Sequence, residues 1–390
     1  MTLKVDIVSL GSVKSKTGVG TFLNEFVTNF KSDAIDLSVI TRDRYENSIS
    51  NIGKQNKKTN IASMIVPEFK NIFGSLTLYF SYFRHALKLI VKYEKDFEFR
   101  KPDIIHFQEP FTCFVFLKLF GNKLKSSKVF MTQHTNGELW KMLKEYHPNI
   151  GCGISGMLLR YVESFVFSSV DRIGFVSEFS KYEFVKKYPE FNEKTFFCYN
   201  GVGAETNFIN KNPNRVKKFI CVGTINSRKN QTFLLDCLSS LDEIYRNNIE
   251  LSFAGGGPML VELMEKKERL GLNNVEFLGE VNNVQELLLD YDIFVLPSKD
   301  EGLPIAIIEA MRCGLPILST PVGGIPEMVK DNGFLVDLNI SEWKEVMCSI
   351  LNDDEITLEM SKKSCCYYNQ MFTYDSMFKS YLEVWNKNRV

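Results

Sequence analysis

The segment that decides the fold is residues 292–327, DIFVLPSKDEGLPIAIIEAMRCGLPILSTPVGGIPE. It opens with the apolar run Ile293–Leu296, which is typical of a strand buried on both faces. A polar loop carrying Glu301 follows, and Pro304 predicts a helix start, because proline at the first helical position gives up no needed donor. A second apolar run, Pro316–Ser319, ends the segment. Strand, helix and strand in this order predict a parallel βαβ unit.

The same alternation extends over the whole chain. Short runs rich in Ile, Val and Phe are each followed by a turn and a helix-period segment, and their number exceeds what one sheet holds. With 390 residues, 44% of them hydrophobic, the chain is predicted to form two doubly wound α/β domains. The predicted strands are Lys4–Leu10, Asp36–Thr41, Asp103–Phe107, Lys128–Thr132, Arg172–Val176, Thr195–Tyr199, Lys218–Val222, Glu250–Ala254, Val275–Leu278, Ile293–Leu296 and Pro316–Ser319.

A polar segment after residue 200 contains Gly, Pro and several Asn and has no periodicity, which is typical of a linker. We therefore predict a first domain over 1–200, a linker over 201–217 and a second domain over 218–370.

Charge divides along the same boundary. Residues 1–200 carry 28 Lys and Arg against 20 Asp and Glu, and the remainder carries 19 against 27. A basic half favours anionic partners or a lipid headgroup surface, whereas the acidic half argues against a nucleic-acid binder. The alternative interpretation is chance surface charge.

Cysteine usage and the N-terminus bear on location. Nine cysteines without a C-x-x-C pair fit reduced thiols in a cytosolic protein. The chain starts on a strand pattern without a signal-peptide core, and it has no stretch of 18 uninterrupted apolar residues. We expect a cytoplasmic protein, with peripheral contact on the inner face of the membrane as a further option. The segment Phe69–Phe99 interleaves aromatic and basic residues, which suits either a lipid-facing surface or an ordinary surface helix with its apolar face in the core.

The deciding segment also carries two carboxylates, Glu301 and Glu309. The backbone N–H groups around Leu303–Ile305 and the positive end of the predicted helix suit a diphosphate. Glu301 stands just before that end, and Glu309 lies ~7.5 Å further along the axis at ~1.5 Å per residue. A single glutamate at a helix start is more often a cap or a solvated residue. Two carboxylates around an anion site suit a nucleotide sugar, which has hydroxyls at both ends and phosphates between.

The whole string resembles the retaining glycosyltransferases with the GT-B fold, of the large family 4 group (glycosyl transferases group 1). The resemblance implies an α/β fold of two doubly wound Rossmann-like domains facing across a cleft. It also implies that Glu301 contacts the donor sugar, that Glu309 binds the ribose hydroxyls and that Glu327 organises a loop. Beyond the two carboxylates, the residues that carry the resemblance are Gly314, Pro316, Gly323, Gly324, Pro326 and Glu327.

Other segments fit the same resemblance in the expected order. His134, after a predicted strand, resembles the family's histidine near the donor sugar and is a second catalytic candidate beside Glu301. The family often has an arginine where this chain has Thr224; Arg228 either compensates for it or is simply solvated. The residues implied to bind the donor are Gly18, Gly20, Gly223, Arg228, Lys229, Gly279, Leu303, Pro304, Ile305 and Glu309.

The domains also receive roles from this resemblance. It places the acceptor on 1–200 and the nucleotide sugar on 218–370, and it implies that 371–390 forms a helix crossing back to the first domain. The glycines Gly18 and Gly20 are expected in a loop before a helix that begins near Thr21.

The implied reaction transfers a hexose-type sugar from a nucleotide-diphosphate sugar to a glycan or lipid-diphosphate-linked acceptor, with retention, in surface polysaccharide biosynthesis. No cofactor and no metal ion are expected. Asp290-Tyr291-Asp292 matches a metal-binding pattern, but Asp292 borders a predicted strand. Two alternatives stay open: an inverting or epimerising enzyme of the same fold, and a non-catalytic nucleotide-binding scaffold.

Overall fold

The structure, a computed structural model, describes residues 2–15, 17–46, 67–124, 126–135, 153–207 and 216–389. The chain forms two compact units. The first comprises Met1–Val176, Ser180–Cys198 and Phe378–Val390, and the second comprises Ser177–Phe179 and Tyr199–Met377. Residues 208–215 of the predicted linker lie outside the described residues.

The first unit is built on a parallel sheet of six strands in the order β2-β1-β3-β4-β5-β6. The strand order reverses between β1 and β3, so the connections after these two strands leave in opposite directions. In open parallel sheets, such a reversal opens a crevice at the carboxyl ends of the strands, where ligands commonly bind. The strands are β1 Leu3–Ser9, β2 Ile35–Thr41, β3 Ile104–Phe107, β4 Lys128–Gln133, β5 Arg172–Phe175 and β6 Thr195–Phe197.

Helices cover both faces of this sheet. Because side chains alternate along a strand, Phe107 faces α3, α4 and α5, whereas His106 faces the aromatic rings of Tyr381 and Trp385 near the C-terminus. The helices of this unit are α1 Gly18–Thr28, α2 Arg42–Glu46, α3 Pro67–Arg100, α4 Pro110–Phe120, α5 Gly153–Ser169 and α6 Glu178–Lys187, with short 3-10 helices at Gly121–Lys123 and Pro189–Lys194. The first two residues of α6 belong to the second unit.

The second unit has a parallel sheet in the order β12-β11-β10-β7-β8-β9, which reverses between β7 and β10. Its strands are β7 Lys217–Val222, β8 Ile249–Ala254, β9 Val275–Gly279, β10 Ile293–Leu296, β11 Ile317–Ser319 and β12 Gly333–Leu335. Its helices are α7 Gln231–Ser240, α8 Glu243–Arg246, α9 Leu260–Arg269, α10 Val284–Leu288, α11 Ile305–Arg312, α12 Ile325–Met328, α13 Ile340–Asn352 and α14 Asp354–Tyr367, followed by a π-helical turn at Tyr368–Phe372. The last helix, α15 at Tyr374–Lys387, contains the boundary between the two units.

The predicted fold class is confirmed. Each of the eleven predicted strands is present, with ends that differ by at most two residues. The sequence did not predict β12, because three residues between polar loops carry too short a pattern. Its pairing with β11 places it at the edge of the sheet.

The segment Phe69–Phe99 lies in α3, and its side chains are described from Phe80 onward. Ile90 and Phe97 are buried in the core, which fits the surface-helix interpretation, although Phe80 and Phe99 are exposed. Lipid contact by this helix stays a prediction. Among the described residues, no helix combines the length and apolar character needed to cross a bilayer.

A buried charge joins α3 to the first sheet. Asp6 in β1 is fully buried, and its carboxylate accepts hydrogen bonds from Tyr93 Oη at 2.7 Å and Arg100 Nε at 2.8 Å. Arg100 also pairs with Asp36 in β2 at 3.2 Å. Burial raises the pKa of Asp6, and the bonds from Tyr93 and Arg100 oppose that rise.

Replacing Arg100 by methionine is expected to lower the free energy of unfolding by about 3 kcal/mol, because it leaves the Asp6 carboxylate buried without its cation. Chemical denaturation followed by circular dichroism measures this change. The matched control is Lys123→Met, because Lys123 is about half exposed and pairs with Glu94 and Glu98 of α3. This substitution should lower the free energy of unfolding by less than ~1 kcal/mol. Equal losses in the two variants would contradict the importance of the buried pair.

Candidate active site

The predicted site residues fall into two groups, one in each unit. Both groups lie toward the carboxyl ends of strands. Most of their residues follow strands close to the point where the order of the sheet reverses, whereas Gly279 ends the edge strand β9. The first unit holds Gly18, Gly20 and His134. The second unit holds Gly223, Arg228, Lys229, Gly279, Glu301, Leu303, Pro304, Ile305 and Glu309.

Glu301 is the centre of the second group. Its side chain is 5% exposed, and its two carboxylate oxygens face different cations: Lys229 Nζ lies 2.7 Å from Oε1, and Arg228 Nη1 lies 2.9 Å from Oε2. The hydroxyl of Ser298 donates to Oε1 at 2.7 Å. Burial alone would raise the pKa of Glu301, but Lys229, Arg228 and Ser298 outweigh it and hold the pKa below its usual value. Glu301 is therefore an ionised carboxylate at neutral pH.

The turn after β7 aims Lys229 at this carboxylate. The backbone N–H of Lys229 donates to Asn226 Oδ1 at 2.9 Å, and Asn230 adopts a left-handed conformation with φ of 57°. Gly223 has a φ of 144°, and a Cβ at this position would lie 3.4 Å from Lys229 Cε. A side chain at Gly223 would thus strain the backbone and crowd the stem of the lysine.

Arg228 connects two loops of the second sheet. Its guanidinium donates to the carbonyl of Asp300 at 2.8 Å, and its own carbonyl accepts from the N–H of Lys299 at 2.8 Å. Since Arg228 also pairs with Glu301, the solvated-arginine interpretation is wrong. The side chain of Thr224 is exposed. Whether Arg228 takes the role of the family's arginine stays a prediction.

Helix α11 follows Glu301. Its first residue is Ile305, and Pro304 is the N-cap with φ of −70° and ψ of 113°, so the helix begins one residue later than the sequence suggests. Leu303 is buried, as are the proline and Ile305, whereas Glu309 is partly exposed in the middle of the helix. The strand and the loop thus bring one carboxylate to the helix start, and the helix carries the second.

The paired glycines pack against the loop of Glu301. The N–H of Gly324 donates to the carbonyl of Gly302 at 2.9 Å, and a Cβ on Gly324 would lie 2.4 Å from that oxygen. The carboxylate of Glu327 accepts from the N–H groups of Glu178 at 2.9 Å and Phe179 at 2.7 Å. Gly279 ends β9 with a φ of 64°, and its carbonyl accepts from the backbone of the β8 loop.

The two glycines of the first unit lie inside helix α1. The helix begins at Gly18, not near Thr21, because the Thr17 side chain caps it by accepting from the N–H of Gly20 at 3.3 Å. A Cβ on Gly20 would lie 2.1 Å from the carbonyl oxygen of Ser15. Glycine is therefore required at position 20 by the close approach of the preceding loop.

His134 directly follows β4 and is largely buried, with part of its surface exposed. Its Nε2 lies 2.8 Å from Gln108 Oε1, and its ring contacts Phe22 edge-on with centroids 5.0 Å apart. Burial lowers the pKa of His134 to about 4, so the imidazole is neutral at neutral pH.

Two contacting residues, Gln108 and Ser298, were missed by the sequence reasoning. Gln108 directly follows β3, and Ser298 is the second residue after β10. A polar residue just after a predicted parallel strand indicates a place near the ligand-binding ends of the sheet, and this signal was present in the sequence.

Asp292, part of the Asp-x-Asp pattern, exchanges hydrogen bonds with the backbone of Lys218 at the start of β10, at 2.8 and 2.9 Å. Within the described residues, no cluster of three or more His, Cys, Asp and Glu side chains could hold a metal ion. Metal independence stays a prediction.

Comparison with known families matches both units. Residues 16–206 match Glycosyltransferase Family 4, and residues 204–364 match Glycosyl transferases group 1. Among curated relatives, the capsular polysaccharide biosynthesis glycosyltransferase CapH of Staphylococcus aureus is 32% identical over 172 residues, which are 42% of this chain and 47% of that protein. The uncharacterized glycosyltransferase MJ1178 of Methanocaldococcus jannaschii is 25% identical over 327 residues, 83% of this chain and 82% of that protein.

The match to CapH thus spans about half the length of that relative. Among solved structures, Anabaena Alr3699/HepE in complex with UDP has a TM-score of 0.70 at 16% identity, covering 99% of this chain and 100% of that one. At this identity the likeness shows the fold. The two family matches together extend over residues 16–364, and both sheets are Rossmann-like. The chain therefore belongs to the family 4, group 1 glycosyltransferases of the GT-B fold.

Proposed function

We propose that this chain transfers a hexose-type sugar from a nucleotide-diphosphate sugar to a glycan or lipid-linked acceptor, with retention of anomeric configuration, during assembly of a surface polysaccharide. The observation that carries the proposal is the buried Glu301 carboxylate held between Lys229 and Arg228 where the second sheet reverses. The name of the CapH relative supports the choice of a surface polysaccharide.

The charges of this cluster suit a diphosphate. One carboxylate and two cations leave a net positive charge at a largely buried position, next to the start of helix α11. Attraction between charges is stronger there than in bulk water, and a helix start adds partial positive charge. An anion that approaches Lys229 and Arg228 therefore gains more than it would at a solvated lysine.

In the proposed reaction, the bond between the anomeric carbon and the diphosphate oxygen breaks, and a bond forms from that carbon to an acceptor hydroxyl oxygen. The acceptor proton passes to the departing diphosphate. Lys229 and Arg228 stabilise the negative charge that develops on the leaving group. Glu301 accepts hydrogen bonds from the hydroxyls of the donor sugar, and His134 orients that sugar.

A panel of nucleotide-diphosphate sugars in a thermal-shift assay tests the proposal. We expect one base and sugar to raise the melting temperature most, and to be consumed in a hydrolysis or transfer assay that also proceeds in the presence of EDTA. NMR of the product gives the anomeric configuration, which should equal that of the donor. A protein that no member of the panel stabilises, or that inverts the configuration, would contradict the proposal.

A further inference from the structure

Gln108 lies between two histidines of the first unit. It directly follows β3, and only 3% of the residue is exposed. Its Nε2 lies 3.4 Å from the backbone carbonyl of His106, and its Oε1 lies 2.8 Å from Nε2 of His134. One amide thus joins a fixed backbone acceptor to the ring of a candidate catalytic residue.

The chemistry of these groups sets the direction of each hydrogen bond. The carbonyl of His106 can only accept, so the NH₂ end of the Gln108 amide faces it and the oxygen faces His134. An acceptor opposite Nε2 requires that Nε2 of His134 carries the proton. In a neutral imidazole, the other nitrogen, Nδ1, is then an acceptor.

The ring of His106, whose backbone carbonyl faces Gln108, has a hydrogen-bond partner at each of its two nitrogens. The indole N–H of Trp385, which can only donate, lies 3.3 Å from His106 Nδ1, and His106 Nε2 lies 2.8 Å from Thr132 Oγ1. Strand β3 pairs with β1 and β4 on its two sides. The ring and the backbone carbonyl of His106 are therefore fixed, and they fix the amide of Gln108.

We propose that Gln108 is a positioning residue that holds His134 as the Nε2–H tautomer, so that Nδ1 accepts a hydrogen bond from a hydroxyl of the donor sugar. This inference rests on the proposed function, in which His134 contacts that sugar. It also narrows the substrate class. A sugar that presents a hydroxyl to Nδ1 can donate to it, whereas a uronate that presents a carboxylate there meets a second acceptor.

Nitrogen-15 NMR of histidine-labelled protein tests the tautomer directly, because the chain contains four histidines and His134→Gln identifies the signals of interest. In the wild type, His134 should have a protonated Nε2 and an unprotonated Nδ1. In Gln108→Leu, we expect a mixture of tautomers and a fall in kcat/KM of about tenfold, as for the loss of one hydrogen bond. An Nδ1–H tautomer in the wild type, or an unchanged tautomer in Gln108→Leu, overturns the proposal.

The matched control is Gln133→Leu. Gln133 is also 3% exposed and adjoins His134, but its amide bonds to none of the described residues. This variant should keep the wild-type tautomer, and a change in it would contradict a specific role of Gln108. The NMR measurement needs no donor sugar. It can therefore contradict the proposed tautomer of His134 without bearing on the proposed reaction. In the transfer assay with the donor panel, nucleotide-linked hexoses should be consumed faster than the matching hexuronates. The reverse order would refute the acceptor role of Nδ1.

Discussion

Replacing Glu301 by glutamine is expected to lower turnover at least ~100-fold while tightening the binding of a nucleoside diphosphate. The carboxylate neutralises one of the two cations beside it, at distances of 2.7 and 2.9 Å. Glutamine keeps the shape and removes the charge, so Lys229 and Arg228 present a larger positive charge to an incoming diphosphate. We expect at least tenfold tighter binding, or ~1.4 kcal/mol, which lies between the ~1 kcal/mol of one charge interaction at ~4 Å in bulk water and the ~4 kcal/mol near a protein surface.

Turnover should fall for a different reason. In the proposed reaction, the ionised Glu301 accepts hydrogen bonds from the donor sugar, and the glutamine amide presents one oxygen where the carboxylate presents two. A loss of transfer together with a gain in diphosphate affinity is a pattern that damage to the fold does not produce.

Isothermal titration with inorganic pyrophosphate, and with the nucleoside diphosphate of the best donor, measures the affinity. Initial rates with that donor give kcat. Glu250→Gln serves as the matched control, because Glu250 is exposed near the amino end of β8, whereas Glu301 follows the carboxyl end of β10 in the same sheet. Weaker diphosphate binding by Glu301→Gln, or near-normal turnover, would refute the assigned role.

Local sequence patterns predicted most of the fold, because parallel strands that are buried on both faces have continuous runs of apolar residues. The run Ile293–Leu296 coincides with β10, since a strand covered on both faces needs apolar residues at every position. Helix starts were predicted less well. Thr17 caps α1, which begins at Gly18, three residues before its expected start near Thr21, because the glycines at 18 and 20 are also typical of a loop.

The spacing of residues predicted the candidate site only where one motif contained it, whereas His134, Arg228 and Lys229 were implied by the family resemblance. Glu301 and Glu309 share a single loop and helix, so their spacing is visible in the sequence. Gln108 is 26 residues from His134, and Arg228 reaches Glu301 from the loop of a different strand. Such pairs form only when neighbouring strands of a sheet bring their carboxyl ends together, and a single sequence carries no record of that contact.

Replacing Lys229 by methionine is expected to lower turnover at least ~100-fold and, unlike the change at Glu301, to weaken diphosphate binding as well. Methionine fills much of the space of the lysine stem but removes the cation 2.7 Å from Glu301 Oε1. The variant keeps Arg228 and Ser298 around the carboxylate, so we expect it to fold and to lose about 2–3 kcal/mol of unfolding free energy at pH 7, somewhat less than a fully broken buried pair.

The dependence of that loss on pH identifies its cause. Burial favours a raised pKa for Glu301, yet Lys229 and Arg228 hold it below the ordinary value of 4.5. A carboxylate with a lowered folded pKa contributes stability above its unfolded pKa, and this contribution disappears as the pH falls through the folded pKa. Removing Lys229 raises the folded pKa, so the difference in unfolding free energy between wild type and Lys229→Met should be smaller near pH 4 than near pH 7.

Denaturation of both proteins at the two pH values measures this difference, and titratable groups common to both cancel. Lys299→Met is the control, because the Lys299 side chain is exposed two residues from Glu301; its effect should be small and should not vary with pH. If Lys229→Met lost equal stability at both pH values, the loss would come from packing of the lysine stem. The ion pair with Glu301 would then be excluded as the reason why Lys229 is held in the turn after β7.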